Sequence, residues 1–404
     1  MGEVPTAPFA QAKPLDDAEI FVQARPVPFV MPTTAAPVNP LCAPTTTSLQ
    51  SSGRSPYRLI GDHSVARLRG EGYTNGLIQT LAELKQTVAK QVWIVDDSGS
   101  MLSYDGKLIQ GEGLPKFTKC TRWEELQQTV IEHIKLAGAL QLPTSIRLLN
   151  RKERDLNICL IPGSNVEHDV EHCVDVLWKS GPNAGTPLKR HIVEVRRDVE
   201  NRKGELEAAG KVVSIVIATD GLPTDASHED FVDELRRFRD LPVRIVIRLC
   251  TDENDVVQYY NELDKELEYS VDVIDDFRGE AVEVAKMNPW LNYGLPLHRV
   301  REMGMKHRVI DLLDERALSK NEYKLLCSIL FGEEAMLQAP NPAREWTAFV
   351  GYVGALQKEE QHQWDPITAT AKPWVDFGAR KGKSKVLKAK RMDASAPLFG
   401  CFGW

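Results

Sequence analysis

Five oxygen-bearing side chains in this sequence are placed so that they could share one ion. Asp96, Ser98 and Ser100 stand at alternate positions in "VWIVDDSGSM", Val92 to Met101, Thr186 stands in "GPNAGTPL", and Asp220 follows the apolar run in "IVIATDG". Two carboxylates and three hydroxyls, with neither nitrogen nor sulfur among them, match the preference of a hard divalent cation. These three stretches contain no histidine, cysteine or lysine to act as general base or nucleophile, so the chemistry they suit is binding rather than catalysis.

Such a set converges only if the elements behind it bring it to one place. Gln91–Val95, Ile146–Leu149, Ile158–Ile161, Val212–Ala218, Val243–Cys250 and Val271–Ile274 are short, nearly continuous apolar runs, the pattern of strands buried on both faces of a sheet. Only the charged turn Asn150 to Asp155 separates the second and third, which predicts a hairpin-like pair. Thr121-Arg-Trp-Glu124 and Ser227-His-Glu-Asp230 have the spacing of a capping box, in which a hydroxyl accepts from a free backbone N–H and the acid reaches back. Behind these starts, Trp123, Leu126, Val130, Ile134 and Ala137 share one helical face, as do Phe231, Leu235 and Phe238. Thr186-Pro187 predicts another helix, running to Gly210. The order predicts an α/β fold, a Rossmann-like, mostly parallel central sheet with helices on both faces. The carboxyl ends of its strands then open on a shared crevice, where Asp96, Ser98, Ser100, Thr186 and Asp220 should meet. Asp97 should leave the strand on the face opposite Asp96 and only tune local charge.

These motifs resemble the von Willebrand factor A-domain family and its metal-ion-dependent adhesion site. The family's D-x-S-x-S motif corresponds to Asp96, Ser98 and Ser100, its isolated threonine to Thr186 and its later aspartate, followed by glycine, to Asp220. The resemblance covers about Tyr57 to Phe277. It implies Mg²⁺ or Mn²⁺ held directly by the serine hydroxyls, with the threonine and aspartates bound directly or through water. Neutral hydroxyls leave such an ion under-neutralised, so an open position attracts a carboxylate from a partner protein. The sequence departs from simpler family members in an insert, residues 102–120, where Asp105-Gly106 gives a hairpin signal. At the rim of the crevice such an insert would contact a partner, cover the ion or do neither. "NPWLNYGLPLHRVREMG" and "HRVIDLLDER" are also similar to uncharacterised intracellular A-domain proteins of single-celled eukaryotes.

The rest of the chain divides into a Pro/Thr-rich arm over 1–56, the α/β domain over 57–277, a helical extension over 278–365 and a tail over 366–404. In the extension, Val309–Glu315, Ser319–Phe331 and Trp346–Gln363 read as helices, the second capped by Ser319 and Glu322 and stopped by Gly332. The tail carries a basic run, Arg380 to Arg391, followed by Leu398, Phe399, Phe402 and Trp404, a composition suited to weak contact with an anionic membrane surface through residues 380–404. Met1-Gly2 begins a weak myristoylation pattern, and Cys401 lacks the aliphatic residues of a prenylation box. A net charge of -7 with 26% charged residues gives no sign of a nucleic-acid partner. Seven scattered cysteines without a C-x-x-C pair suit reduced thiols in a cytoplasmic protein, and no apolar run approaches the ~18 residues of a membrane span.

Two further motifs are weaker. Gly181 to Pro187 has neither the spacing nor the lysine of a phosphate loop, and His168 and His172, four apart beside Cys173, lack a third ligand. The resulting expectation is a non-enzymatic, metal-dependent protein-interaction module. The alternatives are an A-domain subunit of an ATPase-driven chelatase or remodelling assembly and, against the missing base and nucleophile, a Mg²⁺-dependent hydrolase.

Overall fold

The computed structural model describes residues 59–111, 114–151, 155–158, 165–267 and 271–378. The arm, the basic tail and the end of the Ile158–Ile161 run lie outside the described residues.

Two helices, α1 (Asp62–Gly70) and α2 (Asn75–Thr87), lead into β1 (Val88–Val95). Then come β2 (Gly106–Gln110), β3 (Lys116–Cys120), α3 (Arg122–Leu140), β4 (Thr144–Leu148), β5 (Leu156–Ile158) and α4 (Val166–Lys179). The chain continues through α5 (Leu188–Asn201), α6 (Lys203–Ala208), β6 (Val212–Thr219), α7 (His228–Arg236), β7 (Val243–Leu249), α8 (Asn254–Leu267) and β8 (Val271–Ile274). The sheet has the order β5-β4-β1-β6-β7-β8 and is parallel except for β5, which pairs antiparallel with β4. The expected hairpin-like pair is therefore present, with Thr144 opposite Ile158.

Strand periodicity sends alternate side chains of β1 to opposite faces. Val92 and Ile94 enter a core with Ile192 and Val195 of α5, Phe231 and Leu235 of α7 and Tyr260 of α8. Trp93 and Val95 enter another with Leu126, Val130 and Ile134 of α3 and Leu177 of α4. Helices thus cover both faces, which is why these strands are apolar at nearly every position. The capping box at Thr121 and Glu124 forms in full, whereas at Ser227 only the hydroxyl half does, accepting from the Asp230 N–H. The helix expected to run unbroken from Thr186 to Gly210 is two helices. Pro187 is its N-cap, and the backbone leaves the helical region at Arg202, φ -111° and ψ 6°. Gly210, at φ +61°, supplies the left-handed stop.

The C-terminal part comprises α9 (Phe277–Met287), α10 (Leu295–Glu302), α11 (Arg308–Glu315), α12 (Lys320–Phe331), α13 (Glu333–Met336), α14 (Trp346–Leu356), and a two-stranded ribbon, β9 (Gln363–Asp365) with β10 (Thr370–Lys372). Its core is continuous with α1 and α2: Leu68, Leu77, Leu81, Leu297, Ile310, Leu326 and Phe349 form one cluster, joined by Leu136 and Leu140 of α3. Ser319 and Glu322 form a full capping box, and α12 ends on Gly332 at φ +100°. The helix expected over Trp346–Gln363 stops at Leu356, because Gln363 is recruited into the ribbon and its buried side chain donates to the Gly72 carbonyl at 3.0 Å. Among the described residues no helix is long and apolar enough to cross a membrane. Cys120, Cys250 and Cys327 are free and buried, and Cys173 is buried.

Candidate functional site

β1 and β6 are parallel neighbours with Val95 opposite Ala218, so the residues leaving their carboxyl ends emerge side by side. The ladder extends one step further, the Asp96 N–H donating to the Ala218 carbonyl at 2.9 Å. Asp96 is fully buried, and both its oxygens are engaged. Thr219 Oγ1 donates to Oδ2 at 2.6 Å and the Ser98 N–H to Oδ1 at 2.9 Å, the latter turning the chain out of the strand. Burial pushes the Asp96 carboxyl up to about 6 against these hydrogen bonds.

Beyond Ser98 a single 3₁₀ turn, Gly99–Leu102, brings the second serine back over the strand ends. Ser98 Oγ and Ser100 Oγ are 2.9 Å apart, and Ser100 Oγ donates to Asp220 Oδ1 at 2.8 Å. The loop before α5 is tied in by its backbone: the Gly99 N–H donates to the Ala184 carbonyl at 3.1 Å and the Asn183 N–H to the Asp97 carbonyl at 2.6 Å. The Thr186 N–H donates to Thr224 Oγ1 at 3.0 Å. The Thr186 hydroxyl faces Gly221, lying 3.6 Å from where a β-carbon at that position would stand. Ser98, Ser100 and Asp220 thus form one chain of touching oxygens, Asp96 braces the loop beneath them, and Thr186 lies beside the residue after Asp220.

The donor set can be tested against an ion. Adjacent oxygens of a Mg²⁺ octahedron with ~2.0–2.1 Å bonds lie ~2.9 Å apart, √2 times the bond length. The spacings of 2.9 and 2.8 Å along Ser98, Ser100 and Asp220 are ordinary O–H···O distances that also equal that edge, so the donor set is compatible with a small divalent cation. No group of three or more His, Cys, Asp or Glu side chains suited to a metal occurs among the described residues. His168 and His172 stand on α4, where Cys173 packs into the core on the α3 side of the sheet. Gly181 to Pro187 is the loop entering α5.

Three features of the site were not legible from the motifs. Arg122, the first residue of α3, is 4% exposed and donates Nη1 to Asp220 Oδ2 at 3.0 Å. Its Nε and Nη2 grip Asp105 at 2.8 and 2.7 Å, and Nη2 also reaches Glu253 at 2.7 Å. These carboxylates, Asp105 foremost, hold the guanidinium well above its ordinary range. Thr219, the Asp96 partner, reads in sequence as an ordinary strand residue. Asp97 does more than tune charge: its Oδ1 accepts from the Asn150 N–H at 2.8 Å and Nδ2 at 3.1 Å, fixing the exit of β4 to the site.

The insert forms a two-stranded antiparallel ribbon in which Gly106 pairs with Cys120 and Gln110 with Lys116, so Asp105-Gly106 stands at its open end and not at a turn. Gly106 is required for a different reason, since a β-carbon there would come within 2.5 Å of the Thr121 carbonyl oxygen. The hairpin lies along α3, where Gln128 mimics a strand edge, accepting from the Ile109 N–H at 2.9 Å and donating to its carbonyl at 2.8 Å.

The sequence matches no family model, and no curated protein matches it. Among solved structures, the manganese-loaded TRAP protein of Plasmodium vivax aligns over 49% of this chain and 72% of that one, at 13% identity and a TM-score of 0.30. The SpRpn10 VWA domain aligns over 47% of this chain and 89% of that one, at 10% identity and a TM-score of 0.30. Likeness at this level carries nothing about activity.

Proposed function

We propose that this chain is a divalent-metal-dependent protein-interaction module of von Willebrand factor A type, which binds an acidic residue of a partner protein at a metal-ion-dependent adhesion site. The observation that carries the reading is the oxygen chain Ser98–Ser100–Asp220, with 2.9 and 2.8 Å spacings at the carboxyl ends of β1 and β6. Ser98, Ser100 and Asp220 would hold Mg²⁺ or Mn²⁺ directly, with Thr186 and Asp96 completing the set directly or through water. A bound ion supplies an electropositive point for a carboxylate. The chain's own residues do the rest: Asp96 fixes the loop, Arg122 orients Asp220, and the exposed Leu102, Tyr104 and Leu222 in the neighbouring loops offer apolar contact. The site residues include no histidine, cysteine or lysine, which supports binding over hydrolysis. The buried free thiols of Cys120, Cys250 and Cys327 suit a reducing, cytoplasmic setting.

The test has two stages. Calorimetric titration of MnCl₂ into chelator-treated protein should show one site, lost in Ser98→Ala. Partners retained from native lysate in Mg²⁺ should be released by chelator and absent from the Ser98→Ala bait. Mn²⁺ binding unchanged by Ser98→Ala, or retention indifferent to chelator, overturns the proposal.

A further inference from the structure

We infer that Arg122 is a built-in counter-ion of the metal site, competing with the divalent cation for Asp220, and that Asp105 of the insert sets how strongly it competes. This inference rests on the metal-site reading above.

Asp220 is a buried carboxylate with its two oxygens assigned to different partners. Oδ1 takes the Ser100 hydroxyl and Oδ2 takes Arg122 Nη1. The side chain of Asp220 is 0% exposed and that of Arg122 3%, so the charges face each other largely without water between them. A buried carboxylate lacking a cation would be costly, and Arg122 removes that cost when no ion is bound. The site can therefore stand assembled without metal. The same guanidinium is a positive charge fixed beside the place a second positive charge must enter, and it weakens that entry.

Its strength as a competitor depends on what else it touches. Asp105 and Glu253 lie on the solvent side, their side chains 53% and 60% exposed, and both contact Nη2 at 2.7 Å. Asp105 is the stronger brake, because it binds through two parallel N–H···O bonds in the geometry a guanidinium prefers. Asp105 immediately precedes β2, so this side chain links the insert to the ion site through Arg122, beside the backbone bonds from the Ser103 N–H to the Ser100 carbonyl at 2.9 Å and from the Arg122 N–H to the Ser103 carbonyl at 3.0 Å. Lys107, two residues on, anchors the same strand to Asp276 at 2.9 Å.

Two substitutions should move metal affinity in opposite directions. Arg122→Gln removes the competing charge while keeping a hydrogen-bond donor toward Asp220, so Mn²⁺ should bind on the order of tenfold tighter by calorimetric titration of the full chain. Its chelator-treated melting temperature should fall and be restored by Mn²⁺ more than in the wild type. Asp105→Asn leaves the guanidinium in place with its main partner neutralised, and Mn²⁺ should bind several-fold more weakly. Arg122→Lys, which keeps the charge, should return affinity toward the wild-type value. A purely structural Arg122 would loosen the site in every variant and weaken Mn²⁺ binding in all of them. Wild-type binding with Arg122→Gln and Asp105→Asn both weakened, or both unchanged, overturns this inference and leaves the metal site standing. A wild-type chain that takes up no Mn²⁺ overturns both. If Arg122→Gln does not fold, Arg122→Lys decides with Asp105→Asn: near-wild-type Mn²⁺ affinity in Arg122→Lys beside weakened binding in Asp105→Asn upholds the inference, and weakened binding in both overturns it.

Discussion

Asp220→Ala separates what this residue does for the fold from what it does for the ion. The substitution removes the acceptor of the 2.8 Å bond from Ser100 and of the 3.0 Å bond from Arg122. Stranding a buried charge costs ~3–5 kcal/mol, but Arg122 keeps Asp105 and Glu253, so the guanidinium is not stranded. What remains is one charge-assisted hydrogen bond at ~1.5–3 kcal/mol and one weaker one, offset in part because Asp220 no longer has to be desolvated; a net loss of about 2 kcal/mol follows. For a folded unit of this size that corresponds to a fall of roughly 3 °C in melting temperature. In Mn²⁺ at about a hundredfold excess over its dissociation constant, the wild type should gain a further ~2.7 kcal/mol and the variant nothing. The assay is a thermal melt of both proteins, with chelator and with Mn²⁺. An equal Mn²⁺-induced shift in both would show that Asp220 is no ligand. An unchanged melt in chelator would show that the Arg122 pair contributes nothing, and complete unfolding that it anchors the fold.

Three further outcomes are expected. Because burial holds the Asp96 carboxyl at about 6, protons compete with the ion as pH falls through that value, and Mn²⁺ affinity should drop ~tenfold between pH 7 and pH 5, with proton release on binding near pH 6; a flat profile by calorimetry refutes a role for Asp96. Gly76→Ala should destabilise by about 1–3 kcal/mol or more in chemical denaturation, since its β-carbon would fall 2.3 Å from the Ile329 carbonyl oxygen where α2 crosses α12, and a neutral result would mean the helices can separate cheaply. Gln128→Ala should speed hydrogen exchange at the Ile109 amide and leave Mn²⁺ affinity unchanged, while undiminished protection would mean that the hairpin does not depend on that side chain.

The strands of the sheet could be read directly because burial on both faces makes nearly every position apolar, a property of each segment that needs no knowledge of its neighbours. The helix starts at Thr121 and Ser319 were equally legible, their capping boxes closing between residues three apart. So was the grouping of Asp96, Ser98 and Ser100, set by one strand end and one turn. α10 was not, because Arg299, Arg301 and Glu302 are buried and charged and His298 is buried beside them, and a helix buried through ion pairs shows no apolar stripe. Glu302 finds His133 of α3 at 2.8 Å across 169 residues, and Arg122 finds Asp220 across 98. Neither end of such a pair marks the other in the sequence. Residue type and period determine which segments bury and which atoms can bind, whereas the partner of a buried charge is chosen by whichever distant group the packed elements bring within reach, and only the tertiary structure decides that.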